Sequence, residues 1–87
     1  MKAINQPCET VCFVDKNGNI RPQRIRITDN NGEQQVIIIA ETFKKYEGKV
    51  DGIDCIIYNC KSNFKNEGKS FELKFNKNEM QWLLFRV

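Results

Sequence analysis

Four cysteines are the side chains in this sequence best suited to metal chemistry. Cys8 and Cys12 are spaced C-x3-C, and Cys55 and Cys60 are spaced C-x4-C. Four thiolates can hold a zinc ion tetrahedrally, and a small domain gains stability from such an ion. Zinc ribbons normally use C-x2-C on a tight turn, however, and residues an odd number apart on a straight strand lie on opposite faces. We therefore expect free thiols packed as small apolar side chains and no cofactor, with a zinc-stabilised domain as the alternative.

A basic surface is the second candidate for a functional site. Arg24 and Arg26 alternate with Ile25 and Ile27, so the two arginines share one face of a predicted strand. Arginine beside an exposed aromatic ring suits phosphate contact and base stacking, as in small barrels that bind single strands. The alternative is a solvated strand face whose charges prevent aggregation, which the modest net charge of +3 favours. The candidate nucleic-acid-binding residues are Arg21, Arg24, Arg26, Lys44, Lys45 and Tyr46.

The sequence offers little material for catalysis. It contains no histidine, which removes the commonest general base and the Ser–His and Cys–His pairs. Ser62 and Ser70 are the only serines, and neither lies in a G-x-S-x-G motif. The acidic residues are spread singly along the chain. We therefore expect that the protein is not an enzyme.

Turn signals divide the chain into six apolar runs that must position these candidates. All five glycines lie in polar contexts such as Asn17-Gly18-Asn19, where both residue types tolerate positive φ. The stretch from Gly48 to Gly52 is expected to form a single connection. The runs are rich in β-branched and aromatic residues, and several alternate with the period of two that half-buried strands require. Predicted strands cover residues 10–15, 20–28, 34–46, 53–59, 70–76 and 79–87.

Three details refine these strands. The third run is apolar on both faces from Val36 to Ile39, which is typical of a long strand that bends between two parts of a sheet. Pro22 has no amide hydrogen, so we expect the ladder of the second run to begin after it. The last run has apolar residues at helical spacing (80, 83, 84 and 87) but also alternates as a strand does. We favour the strand and keep a short C-terminal helix as the alternative.

Together the runs predict one domain over residues 1–87. Its expected fold is all-β, an antiparallel meander of about six strands that forms a small SH3-like barrel. If the meander stays open, its edge strands can pair with those of a second copy. This gives a structural route to a homodimer.

The N-terminal residues differ from a signal peptide. Asn5, Gln6 and Pro7 interrupt the apolar core that a signal peptide needs. No window approaches the roughly 18 apolar residues of a membrane span. We therefore expect a cytoplasmic protein with reduced thiols and no membrane partner.

Two short motifs carry a resemblance to a known group of proteins. They are the early G-x-I-x-P stretch at residues 18–22 and the W-x-L-F stretch at residues 82–85. With hairpin-forming runs between them, the chain resembles a group of small proteins from low-GC Gram-positive bacteria. The resemblance implies a small all-β barrel without an assigned activity.

Three functions remain open from the sequence. The leading interpretation is a non-enzymatic binding module that contacts another protein or assembles with itself. The first alternative is a nucleic-acid-binding module that uses the basic residues named above. The second is the zinc-stabilised domain built on the four cysteines.

Overall fold

Six antiparallel strands form the fold of this protein. The computed structural model describes residues 1–63 and 68–87. Each strand pairs with the next along the chain, and β1 pairs with β6, so the sheet closes into a barrel. This confirms the prediction of a small all-β antiparallel barrel. The strands are β1 (Ala3–Val14), β2 (Ile20–Thr28), β3 (Gln34–Val50), β4 (Ile53–Ser62), β5 (Lys69–Asn76) and β6 (Gln81–Arg86).

The C-terminal run is a strand, as favoured, and not a helix. Trp82 pairs with Phe75 of β5 and with Cys8 of β1, so β6 completes the barrel wall. The turn before it is held by Asn76, whose side-chain Oδ1 accepts hydrogen bonds from the amides of Asn78 and Glu79 at 3.0 and 3.2 Å. No helix among the described residues is long and apolar enough to span a membrane.

β1 and β3 are longer than predicted because each belongs to two parts of the barrel. Residues 3–8 of β1 pair with β6 and residues 9–14 pair with β2. Residues 34–38 of β3 pair with β2, whereas the rest of β3, to Val50, pairs with β4. The barrel therefore consists of a three-stranded and a five-stranded sheet that share these two bent strands, which confirms the bend expected in the third run.

The connection from β3 to β4 is shorter than predicted. Gly48 pairs with Cys55 inside the β3–β4 ladder and does not form a turn. Asp51 and Gly52 make the turn instead, with φ of 52° and 79°. Both angles are positive, which matches the geometry of a two-residue hairpin turn. The predicted turn at Glu67-Gly68 begins outside the described residues.

Closure of the barrel leaves the two terminal strands without free edges. An open meander would leave β1 and β6 as free edges, but here these two strands pair with each other. A homodimer through the terminal edges of the meander therefore loses its basis. The ladder between β2 and β3 begins only at Arg24, so a local gap remains there. Toward β1, however, β2 is paired from Ile20 and Pro22 lies opposite Cys12, so the prediction that pairing begins after Pro22 is correct only on the β3 side.

The interior of the barrel is filled by one main hydrophobic cluster. The Trp82 ring packs within it, with its centroid 4.8 Å from that of Phe75 and 5.4 Å from that of Tyr58. Leu73 and Cys60 are completely buried. The members contributed by β2 and by β4–β6 are Ile25, Ile56, Tyr58, Cys60, Phe71, Leu73, Phe75, Trp82 and Leu84.

A second, smaller cluster lies on the opposite face of the five-stranded sheet. Cys55, Ile57 and Phe85 are buried there although no strand among the described residues covers that face. The side chains of Lys74 and Arg86 lie over the Phe85 ring, with Nζ and Cζ 4.4 and 4.5 Å from its centroid. Long cationic side chains can cover apolar groups with their methylene stems while the charge stays in water.

Candidate functional site

Two cross-strand rows form the outer face of the three-stranded sheet. Val11, Arg24 and Ile38 lie directly opposite one another on β1, β2 and β3, and Glu9, Arg26 and Val36 form the next row. Directly opposed residues share a face and contact each other. We call this surface the β1–β3 face, and it consists of Glu9, Val11, Arg24, Arg26, Val36 and Ile38.

The β1–β3 face is unusually apolar for a solvated surface. Val11, Val36 and Ile38 are 45, 54 and 63% exposed. A shallow groove of about 460 Å³ runs across the face between Val11, Arg24, Arg26 and Val36. Arg26 forms an ion pair with Glu9, whereas Arg24 forms none within the described part of the chain.

A cleft opens where β2 separates from β3. It has a volume of about 290 Å³. We call it the β2–β3 cleft. Asp15, Asn19 and Ile20 contribute to its rim, and its other lining residues are Phe13, Arg21, Thr42, Lys45 and Tyr58.

Two cation–aromatic pairs lie in the β2–β3 cleft. The Arg21 guanidinium carbon is 5.3 Å from the centroid of the Phe13 ring, its direct cross-strand neighbour. The Lys45 Nζ is 5.9 Å from the centroid of the Tyr58 ring. Such distances lie within the range of cation–π attraction. Neither Arg21 nor Lys45 forms a salt bridge among residues 1–63 and 68–87.

Asp15 shapes the hairpin that carries one wall of this cleft. Its Oδ1 accepts hydrogen bonds from the amides of Asn17 and Asn19 at 2.8 and 2.9 Å, and its Oδ2 accepts one from the Asn19 side chain at 3.1 Å. These bonds from Asn19 lower the pKa of Asp15 below its ordinary value. The carboxylate is therefore engaged by its own turn although it lines the cleft.

Tyr58 forms the buried wall of the cleft. Its ring belongs to the main core, and its hydroxyl donates to the backbone oxygen of Ile20 at 2.8 Å. Burial raises the pKa of Tyr58 to about 12. The hydroxyl is therefore a neutral structural donor at physiological pH.

The structure divides the six predicted basic and aromatic residues among three places. Arg24 and Arg26 share the β1–β3 face, as their alternation predicts, and Arg21 and Lys45 meet at the β2–β3 cleft. Lys44 and Tyr46 lie on the other face of β3, where they pair with Asn59 and Ile57 of β4. The Lys44 Nζ is 5.7 Å from the Tyr46 ring centroid. The aromatic ring beside the arginines is therefore Phe13 and not Tyr46.

Several residues that line the β1–β3 face and the β2–β3 cleft could not be predicted from the sequence. Val11, Val36 and Ile38 occupy outward positions in strands whose inward positions are also apolar, so periodicity alone does not separate the two faces. In a domain of this size most aromatic side chains are expected in the core, but Phe13 is 48% exposed. No feature of the sequence marks Thr42 as a residue of the cleft. Among the aromatic residues, the sequence favours partial exposure for Tyr46 and Phe64 and core packing for Trp82. Trp82 is buried and Tyr46 is 41% exposed, whereas Phe64 lies outside the described residues.

The cysteines lie in different environments. Cys60 is buried in the main core, Cys55 in the outer cluster, Cys8 is half-buried and Cys12 is exposed. Cys55 and Cys60 therefore lie on opposite faces of β4, as their odd separation predicts. Within residues 1–63 and 68–87, no three His, Cys, Asp or Glu side chains are grouped as a metal site requires.

The fold and these surfaces define a small closed six-stranded antiparallel barrel with an arginine-bearing apolar face and a cationic cleft. Comparisons with protein-family models, curated proteins and solved structures find no match.

Proposed function

We propose that this protein is a non-enzymatic module that binds an extended segment of another protein through the β1–β3 face. The observation that carries this proposal is the pair of cross-strand rows, in which three half-exposed aliphatic side chains surround Arg24 and Arg26. Exposed apolar patches with a polar surround are typical of protein-binding surfaces. Arginine is enriched in protein interfaces and in their hot spots.

The chemistry of the β1–β3 face favours a protein over a nucleic acid. Its apolar side chains are valines and an isoleucine, which offer no aromatic ring for base stacking. Glu9 also places a carboxylate in the face, beside Arg26. Aliphatic side chains gain instead from burial against apolar groups, at about 25 cal/mol per Å².

Charge defines the expected partner segment. Arg24 has no ion-pair partner in the described part of the chain, and Arg26 has only the exposed Glu9. A segment with carboxylates would pair with these guanidinium groups, with bidentate geometry available to each. Because every second side chain of an extended segment points to the same side, acidic and apolar residues two positions apart would match the two kinds of side chain in each row.

Selection from a random peptide library displayed on phage tests this function. We expect enriched peptides in which Asp or Glu lies two positions from an aliphatic or aromatic residue, so that both point to the same side of an extended chain. The combined variant Arg24→Glu with Ile38→Asp should bind them at least about tenfold more weakly, as for a hot-spot residue. The matched control, Lys49→Glu with Ile53→Asp, makes the same chemical changes in the β3–β4 hairpin and should bind normally.

Three outcomes would overturn the proposal. The first is a library without any enriched pattern, and the second is equal binding of the enriched peptides by both variants. The third is a dimer, measured by light scattering, that Arg24→Glu dissociates, because the occupant of the face would then be a second copy of the chain. Urea titration of each variant separates a lost contact from a lost fold.

A further inference from the structure

The β2–β3 cleft has a chemistry different from that of the β1–β3 face. Two cationic side chains, Arg21 and Lys45, line it together with the exposed Phe13 ring and the Thr42 hydroxyl. They come from three different strands, and the proposed protein-binding function uses none of them. The chemistry of the cleft is therefore suited to a different ligand from that of the β1–β3 face.

The positive charge of the cleft arises from the topology of the barrel. Lys45 lies opposite Tyr58 in the β3–β4 ladder, so both side chains project from the same face of the sheet. In the rest of the sheet this face lines the interior of the barrel. It reaches the cleft because β2 has already separated from β3 at this level. Arg21 approaches from the β2 side of the same gap. Two cations therefore flank one opening, an arrangement suited to a phosphate group.

The one carboxylate on the rim does not neutralise this pair. Asp15 accepts three hydrogen bonds from the 15–19 turn, which engage both of its oxygens. It forms no salt bridge with Arg21 or Lys45 within the described residues. Its charge attenuates the field of Arg21 at longer range, but both cations remain available for direct hydrogen bonds to a ligand.

An aromatic ring adds a second recognition element. Phe13 is 48% exposed, and Arg21 lies near its ring. An exposed aromatic ring beside cations is the arrangement that stacks an unpaired base while the backbone phosphates are neutralised. The volume of about 290 Å³ lies at the lower end of ligand pockets, so the cleft suits one small group and not a long chain.

We propose that the β2–β3 cleft binds one nucleotide unit, with its phosphate between Arg21 and Lys45 and its base against Phe13. The unit can belong to a single strand of nucleic acid or to a free nucleotide, because both present the same phosphate and base. The proposal does not depend on the protein-binding function, since the two surfaces use different residues.

Fluorescence anisotropy of a labelled oligothymidylate at low salt, with thymidine monophosphate as competitor, tests the cleft. Lys45→Glu should weaken binding by about tenfold or more and reduce the salt dependence. Lys44→Glu is the matched control, because it makes the same charge change one residue away on the other face of β3. At about 0.15 M salt, where the Debye length is about 8 Å, it should weaken binding several-fold less than Lys45→Glu does.

A second pair of variants tests the stacking step. Phe13→Ala should weaken binding by about tenfold, in line with the contribution of one stacked base. Phe43→Ala, at another exposed phenylalanine that does not line the cleft, should leave affinity unchanged. Urea titrations of all four variants verify that they fold.

Each outcome of these measurements decides the proposal. Competition by the monophosphate at a similar affinity assigns the cleft to free nucleotides, whereas binding of the oligomer alone assigns it to single strands. Equal losses for Lys44→Glu and Lys45→Glu would overturn the proposal, since binding would then follow diffuse charge. Absence of binding by both probes, or equal displacement by a poly-glutamate peptide, would overturn it as well. The peptide selections on the β1–β3 face are unaffected by any of these results.

Discussion

The hydroxyl of Tyr58 donates a hydrogen bond to the backbone carbonyl oxygen of Ile20 across 2.8 Å. Tyr58 lies on β4 and Ile20 is the first residue of β2, two strands that do not pair with each other. Because the β2–β3 ladder begins only at Arg24, this bond links the start of β2 to the five-stranded sheet where backbone pairing is missing. It therefore sets the width of the β2–β3 cleft.

Removal of this hydroxyl should loosen the start of β2. Tyr58→Phe keeps the ring in the core but loses the bond to Ile20, which should lower the free energy of unfolding by about 1 kcal/mol. Urea titration measures the loss, and amide hydrogen exchange should accelerate at Ile20, Arg21 and Gln23 before the rest of β2. Tyr46→Phe is the control, since Tyr46 is on the exposed face of β3 and should lose less than about 0.5 kcal/mol. Equal losses for the two variants would contradict this role.

Alkaline pH should destabilise the protein because two buried groups, the Tyr58 hydroxyl and the Cys60 thiol, lose their protons there. Burial raises the pKa of Tyr58 from 10.0 to about 12 and that of Cys60 from 9.0 to about 11. The folded state therefore keeps protons that the unfolded state loses. The stabilisation is complete below pH 9.0 and is lost as the pH rises through about 11 and then about 12.

Ultraviolet titration of tyrosinate measures this directly. The chain has two tyrosines, so Tyr46→Phe leaves Tyr58 as the only one that absorbs. Its ionisation should occur near pH 12 or coincide with unfolding at lower pH. A reversible titration of Tyr58 near pH 10.0 in the folded protein would show that the ring is not buried as described.

The sequence predicts strands and turns correctly where residues close together in the chain determine them. The second strand has the predicted bounds, Ile20–Thr28, because an Asn-Gly turn precedes it and another follows it. Gly18 and Gly32 adopt φ of 83° and 79°, which these turns require. At the C-terminus, the alternation of Trp82 and Leu84 gave the correct strand because both side chains can be buried in the barrel.

The sites could not be derived in the same way. Two bulges interrupt β3, one between Ile39 and Glu41 and one between Thr42 and Lys44. Each bulge shifts the alternation by one residue, so Lys45 returns to the inward phase of Ile39. A local sequence pattern does not reveal the first bulge, which turns Thr42 inward, nor the separation of β2 from β3 beside the inward Lys45. Lys44 and Lys45 are adjacent on one strand and point to opposite faces in any case, so the prediction that they extend one basic surface was wrong.

Thiol reactivity should separate the four cysteines. Cys12 is exposed and should react with Ellman's reagent first, whereas Cys55 and Cys60, 1 and 0% exposed, should react at least about a hundredfold more slowly. Burial also raises the pKa of Cys8, which lowers its thiolate fraction. Cys12→Ser should remove the fast phase. If zinc added beforehand protected Cys12, the zinc alternative would gain direct support and this assignment of independent thiols would be wrong.

The outer cluster should contribute to stability as a part of the core does. Phe85 is only 6% exposed, and Lys74 and Arg86 lie over its ring on the face that no strand of residues 1–63 and 68–87 covers. Phe85→Ala should therefore lower the free energy of unfolding by about 3 kcal/mol, the cost of a cavity at a buried phenylalanine. Phe13→Ala removes the same side chain from a half-exposed position and should cost less than about 1 kcal/mol. Lys74→Ala should lie between the two, since it removes methylene groups that shield Phe85 and a 3.0 Å hydrogen bond to the Asn5 side chain. Urea titrations of the three variants measure this order, and a smaller loss for Phe85→Ala than for Phe13→Ala would show that the outer cluster does not exclude water.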